Sequence, residues 1–339
     1  MKGLGPSLRA KITEIMSTGS LKKLKCFQED PRSAAVAELA NIHGVGTKTA
    51  EKLYKSGYRS VADLRSKLAE GGPSALDGIL LASSKVGLEL YEEFLTRIPR
   101  AEMDLLYETV HTHAMALWPD CDCIVGGSYR RGARDSGDID IIVFPTRGPD
   151  SSVPPASIDV VALLRSLVRS GFLTHHLSRP KGSGLRVGCA QRTCSEGIAV
   201  TADEVEEGSD DDAENDVDQD VNSEPMDGNS RRRRGYYGVC KLPHPGATHR
   251  RIDIITFPRS QYAFAMLQWT GNDHFNRSMR KLAQDLGYKL TDTGLTKCTR
   301  DRGNNMSSEG ACLPCVEEKD VFDILGLPYL EPHQRTALR

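Results

Sequence analysis

Three aspartates in two hydrophobic segments have the types and spacing of a metal-binding set. Asp138 and Asp140 flank Ile139 at the start of a β-branched run, and Asp253 lies in a second such run, RRIDIITF. Residues two apart in a strand project on the same side, so we expect the first two carboxylates to face one point. Placing the second strand beside the first brings a third carboxylate to the pair. Three hard oxygen ligands on a rigid sheet favour Mg²⁺.

Such a carboxylate set has a definite chemical use. Two ions about 3.5–4 Å apart can activate an attacking 3′-hydroxyl and stabilise a leaving pyrophosphate in an in-line displacement. An isolated Asp-x-Asp pair is more often a surface feature of an edge strand. The upstream segment GGSYRRG favours catalysis, since Gly126 and Gly127 allow close backbone approach, Ser128 offers a hydroxyl and Arg131 a planar fork. Together they predict a triphosphate cradle beside a metal site.

These residues need a rigid support, and the hydrophobic patterns indicate its kind. Up to about residue 100 the chain reads as short helices, with apolar residues three and four apart in segments such as LRAKITEIM and VADLRSKLAE. From Cys123 onward, β-branched runs alternate with an amphipathic helix around VVALLRSLVRSG, and helices follow near NDHFNRSMRKLAQDLG and DVFDILG. We therefore predict an α+β fold with a helical N-terminal part, a sheet domain and a small C-terminal lobe.

The stretch IHGVGTKTAEKLYKSG has the form of a helix-hairpin-helix. In this motif Gly44 and Gly46 make a tight turn whose backbone amides point at a DNA phosphate, so it binds without reading sequence. An ordinary connection between helices explains an isolated Gly-x-Gly equally well. Beside a candidate phosphoryl-transfer site, we favour DNA binding.

The acidic residues are concentrated in one segment. Residues 201–230 contain 13 Asp and Glu and no Lys or Arg, so the net charge of −2 leaves about +11 for the remainder. That segment has too few large apolar residues to offset the entropy of ordering, and we predict a disordered insertion at about 201–234. Its final residues, Arg231 to Arg234, could be a nuclear-import signal, a phosphate contact or a counterion for the acidic run. A basic folded part suits a nucleic-acid-binding protein.

Composition argues against membrane and disulfide-rich classes. No stretch approaches the ~20 apolar residues of a membrane span, and the first residues lack the apolar block of a secretory signal, so we expect a cytosolic or nuclear protein. The nine unevenly spaced cysteines do not suggest a disulfide framework, and we expect most to be small core residues. Cys312 and Cys315 have metal-knuckle spacing, but only Cys298 lies near as a further ligand, so a loop with free thiols is favoured.

In order and spacing, the motifs GGSYRRG, SGDIDIIV, RRIDIITFP and WTGNDHFNRSMR resemble those of family X DNA polymerases, nearest to the lambda branch. The resemblance covers nearly the whole chain apart from the acidic insertion. It implies that Asp138 and Asp140 bind two ions, Mg²⁺ or Mn²⁺, and that Asp253 completes the catalytic site and helps deprotonate the primer hydroxyl. It also implies a monomeric nuclear polymerase that fills short gaps in base-excision repair or end joining, acting on gapped or nicked duplex DNA and dNTPs.

The resemblance also implies further substrate contacts. The incoming nucleotide would be held by Arg97, Gly127, Ser128, Arg131, Ser136, Gly137, Trp269, Thr270, Gly271, Asp273 and Asn276. DNA contacts would come from Gly44, Val45, Gly46, Arg251 and Arg280, with a monovalent cation at the helix-hairpin-helix. Where many relatives carry a tyrosine that crowds the sugar 2′ position, this chain has Gln268, so discrimination against ribonucleotides is left open.

On the same resemblance, the chain divides into four parts. Residues 1–26 correspond to part of a 5′-deoxyribose-phosphate lyase domain, 27–99 to the helix-hairpin-helix part, 100–258 to the palm and 259–339 to a nucleotide-selection lobe. Lys11 aligns with the Schiff-base lysine, which needs a neutral amine. Most such lysines are simply exposed residues of a helix, and this is the alternative explanation of Lys11. We expect the chain to lack the start of the lyase domain, which leaves lyase activity uncertain.

Other functions remain open from the sequence. The same nucleotidyl-transfer chemistry permits template-independent terminal transfer, which Trp269 does not exclude. A DNA-binding scaffold with a decayed site, or a nucleotidyltransferase acting on RNA ends or small molecules, are further alternatives. The intact carboxylate set argues against decay, and the helix-hairpin-helix argues against the others.

Overall fold

A computed structural model describes residues 5–72, 74–146, 158–178, 185, 235–300, 306–309 and 311–336. These residues form two compact units that divide between Leu95 and Thr96. Helices and strands both contribute, so the predicted α+β class is confirmed. The acidic insertion and the four arginines after it lie outside the described residues.

The described residues of the first unit consist of helices and their connections. The helices are α1 (Pro6–Thr18), α2 (Lys22–Glu29), α3 (Pro31–Ala40), α4 (Thr47–Lys55), α5 (Val61–Gly71), α6 (Ala82–Glu89) and α7 (Tyr91–Leu95). Pro6 and Pro31 occupy the first turns of α1 and α3, where the N–H that proline lacks has no helical partner. Ser60 and Asp63 form a capping box at the start of α5. The helices that the apolar spacing predicts here are therefore present.

The second unit contains the strands. They are β1 (Ile98–Pro99), β2 (Cys121–Val125), β3 (Asp135–Ser136), β4 (Ile139–Pro145), β5 (Leu173–Ser178), β6 (Gly235–Cys240), β7 (Arg250–Thr256), β8 (Tyr288–Leu290), β9 (Leu295–Arg300) and β10 (Met306–Glu309). The helices are α8 (Arg100–Leu117), α9 (Gly127–Arg130), α10 (Val160–Arg169), α11 (Tyr262–Thr270), α12 (Asp273–Asp285) and α13 (Glu318–Ile324). The acidic insertion falls between β5 and β6, where the sequence predicts it.

Five of these strands form the central sheet, in the order β2-β4-β7-β6-β5. The strands β4 and β7 pair in parallel, and the other neighbours are antiparallel. Since β4 and β7 are the strands that carry the aspartate motifs, their parallel pairing decides which residues stand side by side.

The two faces of the sheet bury different partners. Residues Ile139, Ile141 and Val143 of β4 pack in one core with apolar residues of α8 and α10. The alternate residues Ile142 and Phe144 pack instead with Ala265 and Met266 of α11 and with residues 255 and 257. Because side chains alternate along a strand, Asp140 belongs to this second face.

The C-terminal part of the second unit has a core of its own. Apolar residues of α11, α12, α13, β8 and β9 contribute to this core. Arg335 is fully buried beside it, with its guanidinium over the rings of Phe275, Phe322 and Tyr329. We call this part, residues 259–336, the C-terminal lobe.

Two composition-based expectations concern membranes and thiols. In the described part of the chain, no helix is both long and apolar enough to cross a membrane. Seven cysteines lie within the described residues as free thiols, and four of them, Cys121, Cys123, Cys240 and Cys315, are buried. These four serve as small apolar core residues.

Candidate active site

The carboxylates of Asp140 and Asp253 stand next to each other on parallel strands. Their Cα positions are direct partners in the β4–β7 register, so both side chains leave the same face of the sheet. Both residues are partly buried. The prediction that the strand of Asp253 lies beside that of Asp140 is confirmed.

Asp138 is placed differently from the prediction. Strand β4 begins only at Ile139, so Asp138 lies before the strand and not within it. Its Oδ2 accepts a hydrogen bond from Nη2 of Arg251 at 2.9 Å. Among the residues that the structure describes, no three His, Cys, Asp or Glu side chains converge into a metal-holding group. Asp138 is instead in an ion pair with Arg251, a residue predicted to contact DNA.

The electrostatics of the carboxylates nevertheless suit a cation. Burial raises the pKa of Asp140 to about 7, and the negative charge of Asp138 adds to that rise. Burial also raises the pKa of Asp253 well above its ordinary value, with further rises from Asp140 and Asp138. Arg131 and Arg251 offset only part of the rise at Asp140, and hard divalent ions favour such a set of like-charged oxygen donors. The chemistry of these carboxylates therefore fits Mg²⁺ or Mn²⁺. Asp138 can join them as a ligand once its ion pair with Arg251 breaks.

The two glycines at the start of α9, Gly126 and Gly127, have separate spatial roles. A Cβ on Gly127 would lie 2.2 Å from Oδ2 of Asp140, and this glycine has φ +53. A Cβ on Gly126 would lie 2.6 Å from the carbonyl oxygen of Trp269. Gly127 thus brings the backbone against a candidate metal ligand, and Gly126 lets the C-terminal lobe approach the sheet.

Hydroxyl and guanidinium groups lie beside these glycines. The hydroxyls of Ser128 and Ser136 are 2.7 Å apart, and Ser136 is buried. Arg131 donates from Nη1 to the carbonyl of Thr270 at 2.8 Å, and the charges of Asp140 and Asp273 reach its guanidinium. Burial lowers the pKa of Arg131 despite those charges. A cation partly removed from water binds anions more strongly than an exposed one.

Arg97 and Gly137 complete the predicted phosphate side. Arg97 is exposed and donates to the side chain and carbonyl of Asp135 at 2.8 and 3.0 Å. A Cβ on Gly137 would lie 3.1 Å from Nη1 of Arg97 and 3.8 Å from Nη2 of Arg251. The missing side chain of Gly137 thus leaves two guanidinium groups close to one stretch of backbone.

Thr270 and Asn276, which are predicted to contact the nucleotide, make hydrogen bonds within the protein. Thr270 is fully buried, and its hydroxyl accepts from Nη1 of Arg130 at 2.5 Å. Asn276 is buried and donates from Nδ2 to the carbonyls of Gln268 and Gly271 at 2.8 and 3.2 Å. These hydrogen bonds hold both side chains at the turn that ends α11, as expected for buried polar groups, and their contact with the nucleotide stays a prediction.

The remaining predicted residues of the C-terminal lobe surround this turn. Trp269 is partly exposed, and its indole nitrogen is buried without a hydrogen-bond partner among the described residues. A Cβ on Gly271 would lie 2.3 Å from Oδ1 of Asn276, so only glycine fits there. Asp273 is exposed at the start of α12, and Arg280 is partly buried on the same helix.

The sequence interpretation missed a charge cluster that joins the cradle to the C-terminal lobe. Arg130 of α9 donates to both carboxylate oxygens of Glu318, at 3.0 and 2.7 Å. Arg335 also donates to Glu318. The side chain of Glu318 is 7% exposed and that of Arg335 is 0% exposed. We call these three residues the Glu318 bridge; its sequence signal is the pair of arginines in GGSYRRG, of which only the second was predicted to have a role.

We expect Glu318→Gln to destabilise the second unit by about 3–5 kcal/mol, because it leaves two arginines without their buried counter-charge. Urea unfolding followed by tryptophan fluorescence checks this, since Trp118 and Trp269 both lie in the second unit. Asp285→Asn is the control, because it removes an exposed ion pair with Lys281. The control variant should lower the free energy of unfolding by less than about 0.5 kcal/mol. Equal midpoints for the two variants would contradict a structural role for the Glu318 bridge.

The first unit holds the other predicted DNA and lyase residues. Gly44 is exposed in the turn between α3 and α4 with φ +77, and Gly46 is the N-cap of α4. The side chain of Val45 is buried in the helical core, which is compatible with the predicted DNA contact because that contact is made by the backbone. Lys11 is exposed on α1, and no described residue of that helix is buried.

Comparisons with known proteins match this arrangement. Family profiles described as the fingers domain of DNA polymerase lambda, the DNA polymerase beta palm and the DNA polymerase beta thumb match residues 37–95, 97–204 and 265–336. DNA polymerase lambda of Arabidopsis thaliana is 33% identical over 337 residues, which cover 99% of this chain and 53% of that protein. DNA polymerase lambda of Rattus norvegicus is 34% identical over 335 residues, which cover 98% and 47%. The chain thus spans about half the length of the curated relatives it matches.

Proposed function

Because the chain belongs to the family X DNA polymerases, we propose that it is a template-directed DNA polymerase that fills short gaps during DNA repair. The observation that carries the proposal is the in-register pair Asp140 and Asp253, with the backbone of Gly127 against Asp140. Adding a nucleotide to a primer 3′-hydroxyl needs stabilisation of the charge that develops at the reacting atoms. It also needs the triphosphate to be held beside them. The carboxylates and the arginines around Gly137 supply these two requirements.

Each residue of the site has a separate proposed role. Asp140, Asp253 and, once released from Arg251, Asp138 would hold two divalent ions. When bound, such ions activate the attacking hydroxyl and neutralise the developing phosphate charge. Arg131 lies within reach of the charge on Asp140 and so can bind a phosphate that approaches the carboxylates. Asp253 is the group we propose to accept the primer proton, because burial keeps its carboxylate more basic than usual.

The experiment that tests this function is primer extension on a short-gapped duplex with a 5′-phosphate, Mg²⁺ and single dNTPs. We expect insertion of the nucleotide complementary to the template. Extension of a single-stranded primer regardless of template would favour terminal transfer instead. Gap binding without any extension would favour a scaffold. Repeating the assay with ribonucleotides tests the position of Gln268.

The turn between α3 and α4 is the proposed DNA-backbone contact. Gly46 caps α4 without a side-chain hydrogen bond, so the first-turn amides of that helix have no cap from it. Backbone amides at a helix N-terminus favour phosphate, and they bind it without reading bases. We propose that Gly44, Val45 and Gly46 present this backbone to duplex DNA, together with a monovalent cation.

We expect Gly44→Ala to weaken binding to gapped DNA by about tenfold, the equivalent of one lost charge-assisted hydrogen bond. The added Cβ would lie 2.7 Å from Oγ of buried Ser84, and the backbone has φ +77. Gly57→Ala is the matched control, since Gly57 has φ +101 and nothing within 4 Å of an added Cβ. Fluorescence anisotropy measures both affinities. The proposed contact is wrong if the two variants bind equally.

The proposal has three further parts: the site of action, the repair partners and the lyase activity. A nuclear site of action follows from the proposed DNA substrate, as does binding of repair partners. The lyase role of Lys11 stays a prediction of the sequence. Borohydride trapping on DNA with a 5′-deoxyribose phosphate checks it, with Lys11→Ala as the comparison. Trapping that persists in this variant would assign the Schiff base to another amine.

A further inference from the structure

Two cysteines lie just before α13, in the segment Cys312-Leu-Pro-Cys315. Both are free thiols. Cys312 is exposed, whereas Cys315 is 8% exposed and belongs to the core of the C-terminal lobe with Val321 and Phe322. An accessible thiol separated by two residues from a buried one is the arrangement of a CxxC pair, in which the exposed sulfur reacts first with reagents.

The contacts around this segment hold both thiols in defined places. The amide of Leu313 donates to the carbonyl of Leu295 at 2.8 Å, which ties the segment to β9. Cys312 packs against the turn that precedes β9, because a Cβ on Gly294 would lie 2.6 Å from the Sγ of Cys312. Burial raises the pKa of Cys315 to about 11, and the charges of Asp320 and of Cys312 add to it. The thiol of Cys315 is therefore close enough to Cys312 to sense its charge.

The same segment determines where α13 begins. The amides of Val316 and Glu317 donate to Oδ2 of Asp320 at 2.7 and 3.0 Å, forming the cap of the helix. The next residue, Glu318, is the centre of the Glu318 bridge to Arg130 and Arg335. Cys315 therefore lies three residues before the centre of a buried ion cluster.

We propose that Cys312 and Cys315 are a reversible oxidation site whose disulfide draws Cys315 out of the core and shifts the start of α13 with the Glu318 bridge. The oxidant class is a low-molecular-weight disulfide such as oxidised glutathione. The effect on DNA synthesis rests on the proposed polymerase function; the disulfide itself does not.

The chemistry balances in two exchanges. The thiolate of Cys312 attacks one sulfur of the oxidant, whose S–S bond breaks, giving a mixed disulfide and one free glutathione thiolate. Cys315 then loses its proton to solvent and attacks Sγ of Cys312, releasing the second glutathione thiolate. The protein loses two hydrogens and the oxidant becomes two thiols. Because burial keeps Cys315 protonated near neutral pH, the mixed disulfide should persist until the segment opens.

The test treats the reduced full chain with oxidised glutathione, alkylates the remaining thiols and maps the peptides by mass spectrometry. Hydrogen exchange over residues 311–324 and extension on gapped DNA are measured in parallel. We expect a Cys312–Cys315 disulfide, faster exchange at the start of α13 and an extension rate lowered on the order of 10- to 100-fold, since small displacements in a site cost that much. Dithiothreitol should reverse all three.

Three variants separate this proposal from general oxidation. Cys312→Ser should show none of the effects, and Cys26→Ser, which removes an exposed cysteine elsewhere, should behave as the natural chain. Cys315→Ala should stop at a glutathione adduct on Cys312. A missing cross-linked peptide overturns the proposal, as does a disulfide that changes neither exchange nor extension. A reduced chain that extends no primer contradicts the polymerase function instead, and the mapping and exchange still decide the disulfide.

Discussion

Replacing Asp253 by asparagine should abolish templated extension while the protein stays folded. The substitution Asp253→Asn keeps the size of the side chain and its place beside Asp140 in the β4–β7 register. It removes one charge from the set that we propose to hold the divalent ions. Ion-based stabilisation of a phosphoryl-transfer transition state amounts to several kcal/mol, so we expect a loss of at least about 1,000-fold in rate.

The stability of the same variant should move in the other direction. Burial and the neighbouring carboxylates raise the pKa of Asp253, which means that its ionised form is disfavoured in the folded protein. Removing that charge should leave the melting temperature in the absence of metal unchanged or raised. Single-turnover extension and thermal melting measure the two effects, with Asp285→Asn as an exposed control that changes neither. Near-normal extension by Asp253→Asn would remove Asp253 from the catalytic set.

The second large effect should come from one methyl group. Gly127→Ala would place a Cβ 2.2 Å from Oδ2 of Asp140, at a residue whose φ is +53. The carboxylate and the backbone cannot both keep their positions, so either the candidate metal ligand or the phosphate cradle moves. A displacement of about 1 Å in such a site costs on the order of 100-fold in rate. We expect that loss in primer extension, with gapped-DNA binding retained.

A neighbouring glycine isolates the cause. Gly132 has φ +83, and nothing lies within 4 Å of a Cβ added there. Gly132→Ala therefore imposes the left-handed backbone cost, about 1–2 kcal/mol, without touching Asp140. Its extension rate should stay within a few-fold of the natural chain. Equal losses in the two variants would mean that backbone strain, and not the contact with Asp140, limits the reaction.

The sequence by itself determined the elements and the principal pair of the site. The β-branched runs in DIDIIVF and RIDIITF predicted two strands, and each carries its aspartate on the face opposite the main core. Glycine and proline placed the helix starts in the first unit. These features follow from local chemistry, since strand and helix periods depend on residues only a few positions apart.

Only the tertiary structure decided which polar groups form hydrogen bonds and ion pairs within the protein. It paired Asp138 with Arg251, buried Thr270 and Asn276 in internal hydrogen bonds, and joined Arg130 to Glu318, 188 residues further along the chain. A polar residue in a motif can face a substrate or satisfy a buried partner, and its own neighbours in sequence are the same in both cases. The choice depends on what distant segments bring to it, because a buried charge must find its counterpart wherever the chain places one.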